Sequence, residues 1–334
     1  MEFTSEDKKR AIKTFSRFNL SVTAYSLVGV AIIYIFQFIS LALFGYDRLI
    51  ELSESPYYTF GLQVAAMYLI AFPLFLLMIR KLPSRECPKS EMSLKEFGCI
   101  FLVCEAIMML GSLFSNWLTT IIEGIIGHEI PNTTSDVISA SPIWLIILVV
   151  VIIGPIIEEM IFRKAMIDKL SFYGDRLAVI VSAFAFGIFH GNLYQLFYAT
   201  ALGLVLGYIY VRTRNSMYNC IMHIMINFMG TIPSLLAQDS MDRLLALPED
   251  AVIDGSMLSD YYVVLGVSGL QYMLAIAGII VFWIATSRRA YSISQSCDIY
   301  IPSKDLARVV VLNAGSILFL VYHIAECISS ILIT

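Results

Sequence analysis

Nine apolar runs dominate this chain, at about residues 20–45, 57–79, 96–118, 142–162, 177–190, 193–211, 216–236, 262–286 and 309–333. A helix needs about 20 predominantly apolar residues to cross a bilayer, and most of these runs supply them. In hydrocarbon every backbone polar group must be satisfied within the protein, which a helix does by itself. The expectation is an all-α, polytopic helical membrane protein with about nine transmembrane helices. Eight is the alternative, because the fifth and sixth runs are short and parted only by "HGNL".

Composition agrees. Only 14% of the 334 residues are charged and 58% are hydrophobic, where a soluble chain carries roughly 25% charged residues. The first run follows the basic stretch "MEFTSEDKKRAIKTFSRFN". At about 25 residues it outlasts the apolar core of a signal peptide, so it reads as a retained helix. The expected organisation is one membrane-embedded domain over 1–334, with a basic cytoplasmic segment at 1–19.

The basic residues order the runs. Lys8, Lys9, Arg10, Lys13 and Arg17 precede the first run, and Arg80, Lys81, Arg85, Lys89 and Lys95 separate the second from the third. Arg163, Lys164, Lys169 and Arg176 follow the fourth, Arg212 and Arg214 the sixth, and Arg288, Arg289, Lys304 and Arg308 the eighth. The alternate connections hold only Arg48 and Arg243. By the positive-inside rule the N-terminus is expected in the cytoplasm and the C-terminus outside, in the cell's plasma membrane. A net charge of −4 without a basic patch excludes nucleic acid as a partner. The six cysteines form no CxxC pair and are expected to be reduced. Ser93 with Glu96 reads as a capping box, Ser141-Pro142 as a cap and first-turn proline, and Asp175 as the cap of the fifth helix.

Against this background ionisable groups inside the runs stand out, since each is expensive in lipid and marks a functional site by default. They are Glu105, Glu158, Glu159, His190, His223, His323 and Glu326, joined by Asn227. At 1.5 Å of rise per residue, Glu158 lies about 16 Å from Lys169, His190 about 21 Å from Arg176 and His223 about 13 Å from Arg214. Three groups from three helices can thus reach a similar depth, which places the catalytic helices at about 142–236. His223 and Asn227 share one helix face, and Arg163 stands one turn from Glu159, able to pair with it and leave Glu158 facing elsewhere.

Such a set can do hydrolytic chemistry. Glu158 could take a proton from water as general base, with His190 orienting that water. His223 and Asn227 could donate hydrogen bonds to an oxyanion. The same side chains, Glu158, His190 and His223, could instead hold a divalent metal such as Zn²⁺. Structural readings stand beside these: Glu159–Arg163 as a buried ion pair, Phe186 as packing, His323 and Glu326 as an interhelical polar clasp, and Glu105 as a similar partner or a cavity wall.

"EEMIFR" (Glu158 to Arg163), "FAFGIFH" (FxxxH, Phe186 to His190) and "HIMIN" (HxxxN, His223 to Asn227) resemble, in order, the motifs of the CAAX-protease and bacteriocin-processing (Abi) family of intramembrane proteases. The resemblance implies a peptidase site opening toward the cytoplasm. It assigns Glu158 and His190 to water activation, His223 and Asn227 to the oxyanion, and Glu159 and Arg163 to support. The substrate would be a membrane-associated peptide or a lipidated protein cut near its C-terminus. Whether a metal is used or no cofactor is required stays open. Lys164 stands where bacterial members usually carry glycine. The rival readings are a non-catalytic immunity or regulatory protein and a transporter using buried carboxylates. "GVSG" (Gly266 to Gly269), which resembles the rhomboid nucleophile motif with His323 as partner, reads as close packing.

Overall fold

The computed structural model describes residues 3–85, 87–248, 255, 257–288, 291–293 and 297–332. Arg289, counted above among the basic residues, lies outside them. The described residues form helices and connections without a strand. Each apolar run forms a helix: α1 (Ser5–Phe44), α2 (Pro56–Ile79), α3 (Leu94–Ile126), α4 (Ile143–Tyr173), α5 (Asp175–Phe189), α6 (Leu193–Thr213), α7 (Ser216–Leu245), α8 (Leu258–Ser287) and α9 (Ala314–Leu332). Eight are long and apolar enough to cross a membrane; the exception is α5, with 15 residues, about 22 Å.

α1 begins well before its apolar run. Thr4 Oγ1 accepts from the Asp7 amide while the Asp7 carboxylate accepts from the Thr4 amide, a reciprocal cap. The basic segment is therefore the first turns of a membrane helix, and Ala11, Phe15 and Phe18 on it are buried. α1 and α9 run side by side in the same direction. Ser16 and Asn19 meet Gly315 and Ser316 near the two starts, and Tyr25 and His323 both pack on Phe189 further along.

Polar contacts tie the helices together at the end of the bundle rich in Lys and Arg. Arg214 Nη2 donates to Asp175 Oδ1 at 2.6 Å, and the Tyr210 hydroxyl donates to Asp168 Oδ1 at 2.7 Å. Phe162, Met166, Ile167 and Tyr210 fill the space beneath. Asp175 is thus an ion-pair partner of Arg214, and the residue capping α5 is Gly174. Ser93 caps α3 by accepting from the Glu96 amide, without the return bond from Glu96. α4 starts one residue later than expected, with Pro142 itself as the cap. All six cysteines are free.

α5 and α6 form a tight hairpin because small residues let their backbones approach. A Cβ on Gly203 would fall 2.7 Å from Ala183 Cα, and one on Gly187 would fall 2.8 Å from the Leu196 carbonyl. The turn between them needs Gly191 in the left-handed region (φ 62°), and Asn192 then caps α6 by accepting from the Gln195 amide. His190 is the last residue before this turn, so the hairpin sets its position.

Candidate active site

Glu158 and Glu159 sit where the ladder of α4 changes register. Residues 147–153 and 159–167 use the wider i→i+5 hydrogen bonding, and the segment between them starts at Gly154-Pro155. Pro155 has no N–H, so in the i→i+5 register the Val150 carbonyl loses its backbone donor. Asn227 Nδ2 donates to that oxygen at 3.0 Å. The side chain expected at an oxyanion thus also repairs the break in α4, with one of its two N–H bonds.

The two glutamates occupy different surroundings. Glu159 is fully buried, with Oε1 3.1 Å from Arg163 Nη1 and 2.8 Å from His223 Nδ1. The Arg163 guanidinium makes no hydrogen bond among the described residues; it is held by charge and by the Phe186 ring, 4.1 Å from its carbon to the ring centroid. Glu158 is a quarter exposed, with Oε2 3.7 Å from His223 Nε2. With Glu159 accepting at Nδ1, His223 presents Nε2 to Glu158.

His190 Nδ1 lies 2.7 Å from the Phe186 carbonyl one turn back, so that carbonyl accepts its proton and Nε2 is left for other partners. The Phe186 ring stands edge-on to both imidazoles, with centroids 4.8 Å from His190 and 5.7 Å from His223. Read from the sequence as packing, Phe186 is the plate against which Arg163, His190 and His223 are all set.

Glu158, His190, His223 and Asn227 line one cavity of about 1040 Å³. It follows α7 along a single face, from His223 and Asn227 through Ser234 and Gln238 to Asp242, about 28 Å of helix. α3 adds Ser112 and Asn116 to the same wall, and α8 adds Ser268 and Gln271. These residues lie on the halves of their helices that lead to the connections poor in Lys and Arg. The lining therefore runs from Glu158, His190 and His223 toward the connections poor in Lys and Arg. The sequence signal for this wall was the polar stripe at three- and four-residue spacing on α7, which motif reading passed over.

Glu105 and the His323–Glu326 pair stand apart from the cavity. Glu105 is buried on α3 with Oε1 unpartnered among the described residues. His323 Nδ1 pairs with Glu326 Oε2 at 2.7 Å within α9, so the clasp is within one helix and not between two. Ser268 of "GVSG" lines the cavity but His323 does not, and the structure does not bring these two together. Among the described residues no three His, Cys, Asp or Glu side chains form a group able to hold a metal ion. As placed, Glu158, His190 and His223 do not fit one.

A family profile described as "Type II CAAX prenyl endopeptidase Rce1-like" matches residues 140–229, the stretch holding every catalytic candidate named above. The "Putative membrane peptidase YdiL" of Bacillus subtilis is 30% identical over 201 residues, 58% of this chain and 79% of its own length. The "Membrane-embedded CAAX protease MroQ" of Staphylococcus aureus is 28% identical over 146 residues, 41% of this chain and 58% of its own. No solved structure matches the chain.

Proposed function

The chain belongs to the Rce1-like family of type II CAAX prenyl endopeptidases, that is, to the membrane proteases, and from this premise we propose that Glu158 drives hydrolysis of a peptide bond in a membrane-associated substrate. The observation that carries the reading is the facing pair at the inner end of the cavity, Glu158 Oε2 and His223 Nε2, 3.7 Å apart.

In this reading Glu158 takes a proton from a water whose oxygen attacks the scissile carbonyl carbon. His190 orients that water through Nε2. His223, held through Nδ1 by Glu159, turns Nε2 toward the forming oxyanion. The second N–H of Asn227 completes the oxyanion site. The tetrahedral intermediate collapses as the C–N bond breaks, and Glu158 returns its proton to the leaving amine. Glu159 and Arg163 touch no reacting atom; they hold His223 and Phe186 in place. We place the protein in the plasma membrane with the Lys- and Arg-rich end in the cytoplasm, which the charge distribution supports.

The test is comparative peptidomics of membranes from cells carrying the wild type or Glu158→Gln. Peptides produced by the wild type are expected to vanish in the variant, with their precursors accumulating. Unchanged peptide profiles would sink the reading.

A further inference from the structure

The composition of the cavity wall bears on what it receives. Beyond the catalytic cluster it carries six carboxamide side chains, Gln63, Asn116, Asn132, Gln195, Gln238 and Gln271, interspersed with apolar ones. A carboxamide both donates and accepts, as each peptide unit of a main chain does. Asn132 accepts from the Ser135 amide, Gln195 from Asn192, and Gln271 donates to Ser234; the polar atoms these bonds do not use, with those of Gln63, Asn116 and Gln238, would lack partners against a lipid chain. The stripe on α7 is about 28 Å long, which an extended peptide spans with about eight residues.

Charge narrows the choice. Among the described residues lining the cavity, Glu158 and Asp242 are acidic and none is Lys or Arg. The nearest arginine along α7, Arg243, is turned to Asp260, to which Nη2 and Nε donate at 2.5 and 2.8 Å. Arg48, the other arginine of that end, pairs with Glu51. A free α-carboxylate a few residues from the scissile bond would lie near Glu158 with no Lys or Arg among the described lining residues to meet it.

We infer that the cavity receives an extended, neutral-to-basic peptide segment and cuts it at an internal bond, in preference to a prenylated tail ending in a free carboxylate. The inference rests on the peptidase reading above and specifies the substrate class of that same site. The peptide lies along α7 with its basic residues toward Asp242, hydrogen-bonded to the carboxamides through its main chain. The acidic far end attracts such segments and disfavours acidic ones.

The experiment uses the full chain in lipid nanodiscs and three sets of quenched peptides: internal-bond peptides flanked by Lys and Arg, the same peptides flanked by Asp and Glu, and farnesylated peptides with a free C-terminus. The expected result is cleavage of the basic set at least about tenfold faster than the other two at low salt. That ratio shrinks as ionic strength rises from about 0.01 M toward 1 M, and Asp242→Lys narrows it. Equal or faster cleavage of the acidic or farnesylated set overturns the inference, as does a ratio indifferent to both salt and Asp242→Lys. If Glu158→Gln cleaves as the wild type does, the peptidase reading falls, which is a separate outcome from either.

Discussion

Glu159 Oε1 lies 2.8 Å from His223 Nδ1, and the same oxygen lies 3.1 Å from Arg163 Nη1. One oxygen of a fully buried carboxylate thus orients a histidine on another helix and balances an arginine on its own. The neighbouring Glu158 faces the other nitrogen of that histidine from within the cavity. Adjacent residues of one type are therefore expected to fail in different ways.

Glu158→Gln is expected to abolish cleavage while unfolding at the wild-type temperature, since the side chain is partly exposed and Gln keeps its shape. Glu159→Gln is expected to lower stability by about 3–5 kcal/mol, because it leaves Arg163 buried without its counter-charge. Cleavage assays with thermal unfolding in detergent separate the two. Equal loss of stability in both variants would contradict the division of roles.

Asn227→Ala removes both the donor to the Val150 carbonyl and the proposed oxyanion donor. A stability loss of about 1–3 kcal/mol and a drop in kcat of about 10²–10³ are expected together. Asn227→Asp keeps the size but replaces the amide donor, and should not rescue kcat. Turnover near wild type in either variant would remove Asn227 from the mechanism.

Gly203→Ala tests whether the hairpin places His190. The added Cβ would meet Ala183 backbone at 2.7 Å, which neither helix can yield without moving apart. The expected cost is about 1–3 kcal/mol, with loss of cleavage although Gly203 lies outside the cavity wall. Hydrogen exchange should report loosening of α5 and α6 first. Unchanged exchange there with full activity would refute the close-packing account.

Glu105→Leu addresses a carboxylate that touches neither the cavity nor, through Oε1, any described partner. Removing a buried carboxyl without a described partner at Oε1 is expected to leave stability unchanged or raise it, with cleavage retained. Thermal unfolding and the peptide assay read both, and a large loss of either would show that Glu105 has a role not seen in its contacts.

Much of this arrangement was legible in the residues themselves. Apolar run length determined that the chain is a helical membrane protein, and each run became a helix. Spacing of three or four residues put His223 with Asn227, and Glu159 with Arg163, on common faces, because a helix brings such neighbours together whatever surrounds it. What one helix cannot report is which face of another it meets. That Glu159 holds His223, that Asn227 answers the carbonyl exposed by Pro155, that Asp175 pairs with Arg214 instead of capping, and that the cavity runs away from the basic end all depend on helix crossings. Those crossings follow from close packing, such as the glycines that admit α6 against α5, and periodicity along a single chain segment carries no record of them.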